Sequence, residues 1–343
     1  MRRSLALTIA CVAISIQASA QTLPSSMSNA PTTSAANLAW SACSRFKPGH
    51  YVQVNGEYQL RFFLSKDVRN FRGVHYDTYW GMIEKSPGVY DFSRLDAALA
   101  QVKAKNKYLQ LLFKDRTFHS GCQSNFVPSY VNKDGSYQSS RICYARMWEK
   151  TTMDHMIRVL QQIALRYKAD PNFLGITLEE TSIAANALKA NPKLRDAYFA
   201  QMKRLYPAVH SVAPNLIVMQ MMNAPAQMPH QYEMTNTLVG LGGGGAMGWP
   251  DSVPAQANQL GWYKIARDYN RKLAVIPYVQ TASISSSIAA TEQIYTFLVD
   301  DIKAHMIVWR DWHKDIGGAY LTNVVIPTVN KHGGAVKNAL CPW

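Results

Sequence analysis

The chain has 343 residues, 48% of them hydrophobic, and carries a formal net charge of +14 from 36 Lys and Arg against 22 Asp and Glu. Beyond the N-terminus no stretch approaches the ~20 consecutive apolar residues a membrane span needs, and no basic run interleaved with aromatics marks a nucleic-acid binder. The positive balance favours an anionic partner, such as an acidic polysaccharide or glycan.

The chain opens on Met1-Arg2-Arg3, runs through an apolar stretch from Leu5 to Ile14 too short to cross a bilayer, and reaches Ala18-Ser19-Ala20. Charge, apolar run and small-x-small ending together predict a signal peptide over 1–20, with a mature chain that starts at Gln21 and is periplasmic or secreted. Residues 21–40, rich in Ser, Thr, Ala and Pro, read as a disordered leader. The segment 41–343 is long for one domain but suits a single α/β barrel.

From residue 49 onward, short β-rich runs alternate with segments of helical period, the pattern of parallel βαβ units. Strands are predicted over 50–54, 71–75, 107–113, 173–178, 216–222, 237–241, 273–279 and 306–309. Eight strands give an α/β fold of (β/α)8 TIM-barrel type. Helices are expected where apolar residues recur at three and four spacing: Leu95, Leu99 and Val102; Met153, Met156, Leu160 and Ile163; Ile294, Leu298 and Ile302. Asp91-Phe92-Ser93 reads as the cap of the first of these. A long insertion, 117–147, follows the third strand and is expected to wall or lid a cleft.

Five cysteines are present, and Cys11 falls in the signal segment. In an oxidising compartment the remaining four predict two disulfides. Three connectivities are open to them, and the most economical pairs Cys122 with Cys143 and Cys43 with Cys341. Neither Cys-x-x-Cys nor His-x-x-x-His occurs, so no metal site is expected. No phosphate- or dinucleotide-binding loop occurs either, so the expected cofactor is none.

After the second strand comes His75-Tyr76-Asp77-Thr78-Tyr79-Trp80, then Glu84 and Gly88-Val89-Tyr90-Asp91-Phe92 with Leu95-Asp96. This block resembles the clan of (β/α)8 glycoside hydrolases that includes β-galactosidases, cellulases and β-xylosidases. In such barrels the chemistry sits on the loops at the C-terminal ends of the strands. The fourth strand ends Leu178-Glu179-Glu180, where the clan has Asn-Glu. The resemblance therefore implies Glu180 as general acid and base and sets Glu179 in place of the Asn. Strand alternation allows at most one of the pair to aim into the barrel. The clan's nucleophile, a Glu ending the seventh strand, is replaced by Gln280, so this chain departs from the pattern there.

Glycoside hydrolysis needs a second carboxylate. Asp251 is the first choice, on a Gly-rich stretch (242–245, 248) that reads as a permissive loop; it can equally cap the next helix. Asp115 and Asp311 follow, Asp115 being flanked by two cations, and Glu84 reads as loop structure. Trp80, Trp249 and Trp309 are the expected sugar platforms, with Tyr76, Tyr79, Tyr278 and Trp312 also at strand ends. His75, Gln220, Asn223 and Gln280 are expected hydrogen-bonding partners. The sequence thus points to an exported glycoside hydrolase acting on a polysaccharide or glycan. The rival readings are a non-catalytic glycan-binding barrel that lost its nucleophile, and a lyase or transglycosylase acting on an acidic glycan.

Overall fold

A computed structural model describes residues 45–117, 126–134, 143–182, 185–223, 228–250, 252, 262–280, 287–310 and 318–336. Eight parallel strands close a barrel: β1 (Gly49–Asn55), β2 (Phe71–Tyr79), β3 (Tyr108–Lys114), β4 (Phe173–Leu178), β5 (Ile217–Met221), β6 (Gly245–Trp249), β7 (Ala274–Gln280) and β8 (Met306–Arg310). Each strand pairs with its neighbours in sequence, and β1 pairs with β8 to shut the ring, Gly49 opposite Met306 and Gln53 opposite Arg310. The helices between them include α1 (Glu57–Leu64), α2 (Ser93–Lys103), α3 (Lys150–Tyr167), α4 (Pro192–His210), α5 (Met228–Val239), α6 (Trp262–Tyr269) and α7 (Ile288–Thr296).

Alternation along each strand sorts the side chains into two cores. Tyr51, Leu112, Met219, Ala246, Ile276 and Val308 fill the barrel interior. Their chain neighbours Val52, Leu111, Val218, Met247, Val275 and Ile307 face outward and pack with the helices. The helical stripes read from sequence are buried as expected: Leu95, Leu99 and Val102 on α2, and Met153, Met156, Leu160 and Ile163 on α3. Asp91 Oδ1 accepts from the Ser93 N–H at 3.0 Å and opens α2. Asn106, at φ 53, turns the chain from α2 into β3.

The sixth strand lies elsewhere than expected. Residues 237–239 end α5, and Leu241 and Gly242 close the turn after it. The strand is Gly245–Trp249, so the glycines form part of the wall instead of an exposed loop. A Cβ at Gly248 would lie 2.1 Å from the Ile276 carbonyl oxygen and 2.4 Å from Met219 Cε, which is why a strand with so little β-propensity still belongs to the barrel.

The insertion after β3 carries a small antiparallel sheet in which Cys143–Ala145 pairs with Arg116–Thr117 on one side and Lys133–Asp134 on the other. Cys143 is buried; Cys43, Cys122 and Cys341, and with them both expected bridges, lie outside the described residues, as do the expected signal peptide and leader. Among the described residues no helix is long and apolar enough to cross a membrane, and no cluster of His, Cys, Asp and Glu is placed to hold a metal ion.

Candidate active site

The interior changes from apolar to polar on moving toward the C-terminal ends of the strands. The first polar layer is a buried network. His75 on β2 contacts Thr177 Oγ1 on β4 at 2.8 Å and Tyr278 Oη on β7 at 2.6 Å, and Gln110 on β3 donates to Thr177 at 3.1 Å. The two His75 contacts span non-adjacent strands, so they cross the lumen and plug it. Burial first, and then Lys114, hold the His75 imidazole well below its ordinary pKa, which makes it neutral.

Two residues further along the same strands, with the same orientation, stand the charged groups. Asp77 lies 2.5 Å from Lys114 Nζ, both side chains almost fully buried, and both carboxylate oxygens of Asp77 accept from Gln53 Nε2 at 2.9 Å. Burial alone would lower the Lys114 pKa, but Asp77 and Glu179 hold it above the usual lysine value. Gln280 and Arg310 end β7 and β8, and Arg310 Nη1 donates to Gln280 Oε1 at 2.8 Å.

Glu179 follows Thr177 in the lumen-facing phase of β4. It is 5% exposed. Its Oε1 accepts from the Glu180 N–H at 3.3 Å, and Oε2 is buried without a hydrogen-bond partner among the described residues. Burial pushes its pKa up to about 7; Glu180 and Asp77 add to the rise, while Lys114 and Arg116 oppose it. A carboxyl group near neutrality in a lumen at strand ends is able to hold and donate a proton at ordinary pH.

Glu180 sits differently. It is half-buried, and its Oε2 accepts from Asn223 Nδ2 at 2.6 Å and Ser182 Oγ at 3.1 Å. Asn223 is further tied to Thr181 through its N–H at 2.8 Å. Asn223 thus braces Glu180 across the ends of β4 and β5. The alternation argument left one of the two glutamates for the lumen, and the structure turns Glu179 there.

The aromatic expectations need correction. Trp80 is fully buried and donates to Glu84 Oε2 at 2.8 Å, and Glu84 also accepts from the Gly88 N–H. Trp249 packs edge-on against Tyr263, and Trp309 donates to His50 Nδ1 at 3.0 Å and stacks on that ring. All three, with Tyr76, belong to the helix-facing core. Nearness to a strand end was a poor guide because it ignores which way the pleat turns the side chain. Tyr278 does face the lumen but lies buried under the mouth, bound to His75. Among the described residues, Tyr79 alone of these expected aromatics combines a rim position with partial exposure. It stacks on Phe126 of the insertion at 4.2 Å between centroids, with Lys114 Nζ 5.3 Å from its own centroid.

Gln220 faces the helices, accepting from Tyr206 and donating to the backbone of Glu179 and Met221, which steadies β4 against β5. Asp115 is held by Arg116 through two hydrogen bonds of 2.8 and 3.0 Å, so it is an ion-pair member as its flanking cations suggested. Asp251, Asp311 and Trp312 lie outside the described residues. Gln53, Asp77, Lys114 and Arg310 were not singled out from the sequence. The available signal was orientation: each keeps step with a lumen-facing residue two positions earlier.

No family model and no curated protein matches the sequence. Among solved structures the chain is similar to endo-glycoceramidase II from Rhodococcus sp., with 14% identity over 82% of this chain and 78% of that one and a TM-score of 0.55. It is also similar to the β-galactosidase of the psychrophilic Marinomonas ef1, with 10% identity over 84% of this chain and 61% of that one and a TM-score of 0.53. At such identities the likeness is one of architecture, and what it establishes is the (β/α)8 barrel.

Proposed function

We propose that the protein is an exported glycoside hydrolase that cleaves a polysaccharide or glycan, with Glu179 as proton donor to the leaving oxygen. The observation that carries this is the lumen-facing Glu179 at the C-terminal end of β4, poised near neutrality by its burial. The fold supports the reading, since an endo-glycoceramidase and a β-galactosidase share it. The half-exposed Tyr79–Phe126 stack offers a flat apolar face suited to a sugar ring.

Asp77 is committed to Lys114 and Gln53. Asp115 is likewise committed to Arg116, so the second carboxylate in this reading is Asp251, with Asp311 as the alternative. Replacing Asp251 by Asn should lower the release of reducing ends by about 10²–10⁴-fold, the usual worth of a general acid or base, without lowering the melting temperature. Asp77→Asn should instead lower the melting temperature, because it strands a buried ammonium. An Asp251→Asn protein within tenfold of the parent would remove that residue from the mechanism. Product analysis separates hydrolysis from elimination, which leaves an unsaturated sugar end. Export is tested by N-terminal sequencing of the protein recovered outside the cytoplasm. The expected first residue is Gln21, and a chain that retains Met1 there would refute signal cleavage.

One observation favours the glycan-binding alternative. Gln280, where the clan carries its nucleophile, is not a nucleophile and is engaged by Arg310. Demonstrated binding of a glycan that the parent never cleaves would select it.

A further inference from the structure

Among the described residues the barrel mouth holds three cations on or next to its strands: Lys114, Arg116 and Arg310. Two are neutralised in place, Lys114 by Asp77 at 2.5 Å and Arg116 by Asp115 at 2.8 Å. Arg310 has no carboxylate partner among the described residues; a single guanidinium nitrogen is engaged, by the Gln280 oxygen. Its charge acts on Lys114, Tyr79 and Tyr278, all lumen-facing groups, so the guanidinium looks into the mouth.

A half-buried charge without a counter-ion is costly to leave unpaired. The planar fork of an arginine matches a carboxylate with two parallel hydrogen bonds, which a lysine cannot do. The amide nitrogen of Gln280 has no acceptor among the described residues, which leaves a neutral donor beside the cation. A Glu at position 280, as the clan resemblance would have it, would neutralise Arg310 and repel an anion. The substitution that removes the expected nucleophile therefore also leaves Arg310 without a carboxylate partner among the described residues.

We propose that Arg310, with Gln280 beside it, is a subsite for the carboxylate of a uronic-acid residue in the glycan. The proposal rests on the glycan reading above and narrows it to acidic chains. It does not depend on which carboxylate performs the hydrolysis, since binding alone tests it.

The test is isothermal calorimetry on the mature protein carrying Glu179→Gln together with Glu180→Gln, which suppresses turnover whichever glutamate donates the proton. The probes are oligoglucuronate, oligogalacturonate and oligomannuronate, each beside its carboxyl-reduced neutral counterpart. At least one uronate should bind tenfold or more tightly than its reduced form. Arg310→Met and Gln280→Glu should each abolish that preference, Arg310→Lys should keep a fraction of it, and the exposed Arg69→Met control should leave it intact. Three results would overturn the subsite: no uronate preferred over its reduced form, a preference that survives Arg310→Met, or an equal loss in Arg69→Met, which would signify bulk charge. Should either of the first two Arg310 and Gln280 variants fail to fold, the other carries the decision. A parent protein that binds the uronate through Arg310 yet releases no reducing ends would sink the hydrolase reading and leave the subsite standing.

Discussion

Glu179→Gln should reduce glycan hydrolysis by about 10²–10⁴-fold, the range expected for removing a general acid, and should do so more severely than Glu180→Gln. The two glutamates are adjacent in sequence but differ in surroundings. Glu179 is in the lumen with one oxygen unpartnered among the described residues, whereas Glu180 is half-exposed and bonded to Asn223 and Ser182. Activity that requires the protonated Glu179 should decline as pH rises through about 7, where burial has placed its titration. The same shift has a stability signature. Between the ordinary glutamate value of 4.5 and about 7, the folded chain retains a proton that the unfolded chain has released. The folded state then binds more protons, so stability from this group falls as pH rises across that window. Glu179→Gln should flatten that slope. The checks are kcat against pH for parent and both variants, and urea denaturation at several pH values from 5 to 8. A larger loss in Glu180→Gln than in Glu179→Gln would move the proton donor to the residue that the clan resemblance indicates.

Lys114→Met should destabilise the fold by about 3–5 kcal/mol, the cost of breaking a buried ion pair by removing one partner. The side chains of Lys114 and Asp77 are 7% and 3% exposed, so neither water nor another described cation within ion-pair distance replaces the ammonium. Adding Asp77→Asn to Lys114→Met should recover part of the loss, because the stranded carboxylate is then gone. Lys114 is also the largest influence opposing the rise of the Glu179 pKa. Without it the Glu179 titration should move above 7, and the alkaline limb of the activity profile should move with it. Denaturation midpoints of the single and double variants test the first claim, and the pH profile tests the second. A Lys114→Met protein as stable as the parent, with an unmoved profile, would show that the pair is without consequence.

Much of the architecture was legible because a parallel barrel writes two periodicities into its chain. Seven strands were located from β-rich runs bounded by turns, and the apolar stripes of α2 and α3 marked helices that bury those residues. β6 was missed because Gly-Ala-Met-Gly-Trp has neither alternation nor branched residues; it is a strand on account of what surrounds it, with Gly248 pressed against the Ile276 carbonyl. Thr237-Leu238-Val239 looked like a strand and is instead the apolar end of α5. The site was legible in part. Chain position brought Glu179, Tyr79 and Gln280 to strand ends, but the three tryptophans share that address and face the other way. What separates them is the phase of the pleat. Gln53, Asp77, Lys114 and Arg310 could have been found by counting in twos from any residue known to face inward. Their pairing could not, because it depends on the stagger between strands that are distant in the chain.

The seam between β1 and β8 sets a condition on how this protein can be made. Strands β2 to β7 find both neighbours close by in sequence, but β1 must wait for residues 306–310 before its second side is covered. A nascent or truncated chain lacking that segment presents two open rows of backbone donors and acceptors, one on β1 and one on β7, ready to pair with other chains. Truncation before residue 306 should therefore yield aggregates instead of a smaller barrel. Completion of the ring therefore waits until residues 306–310 have left the ribosome.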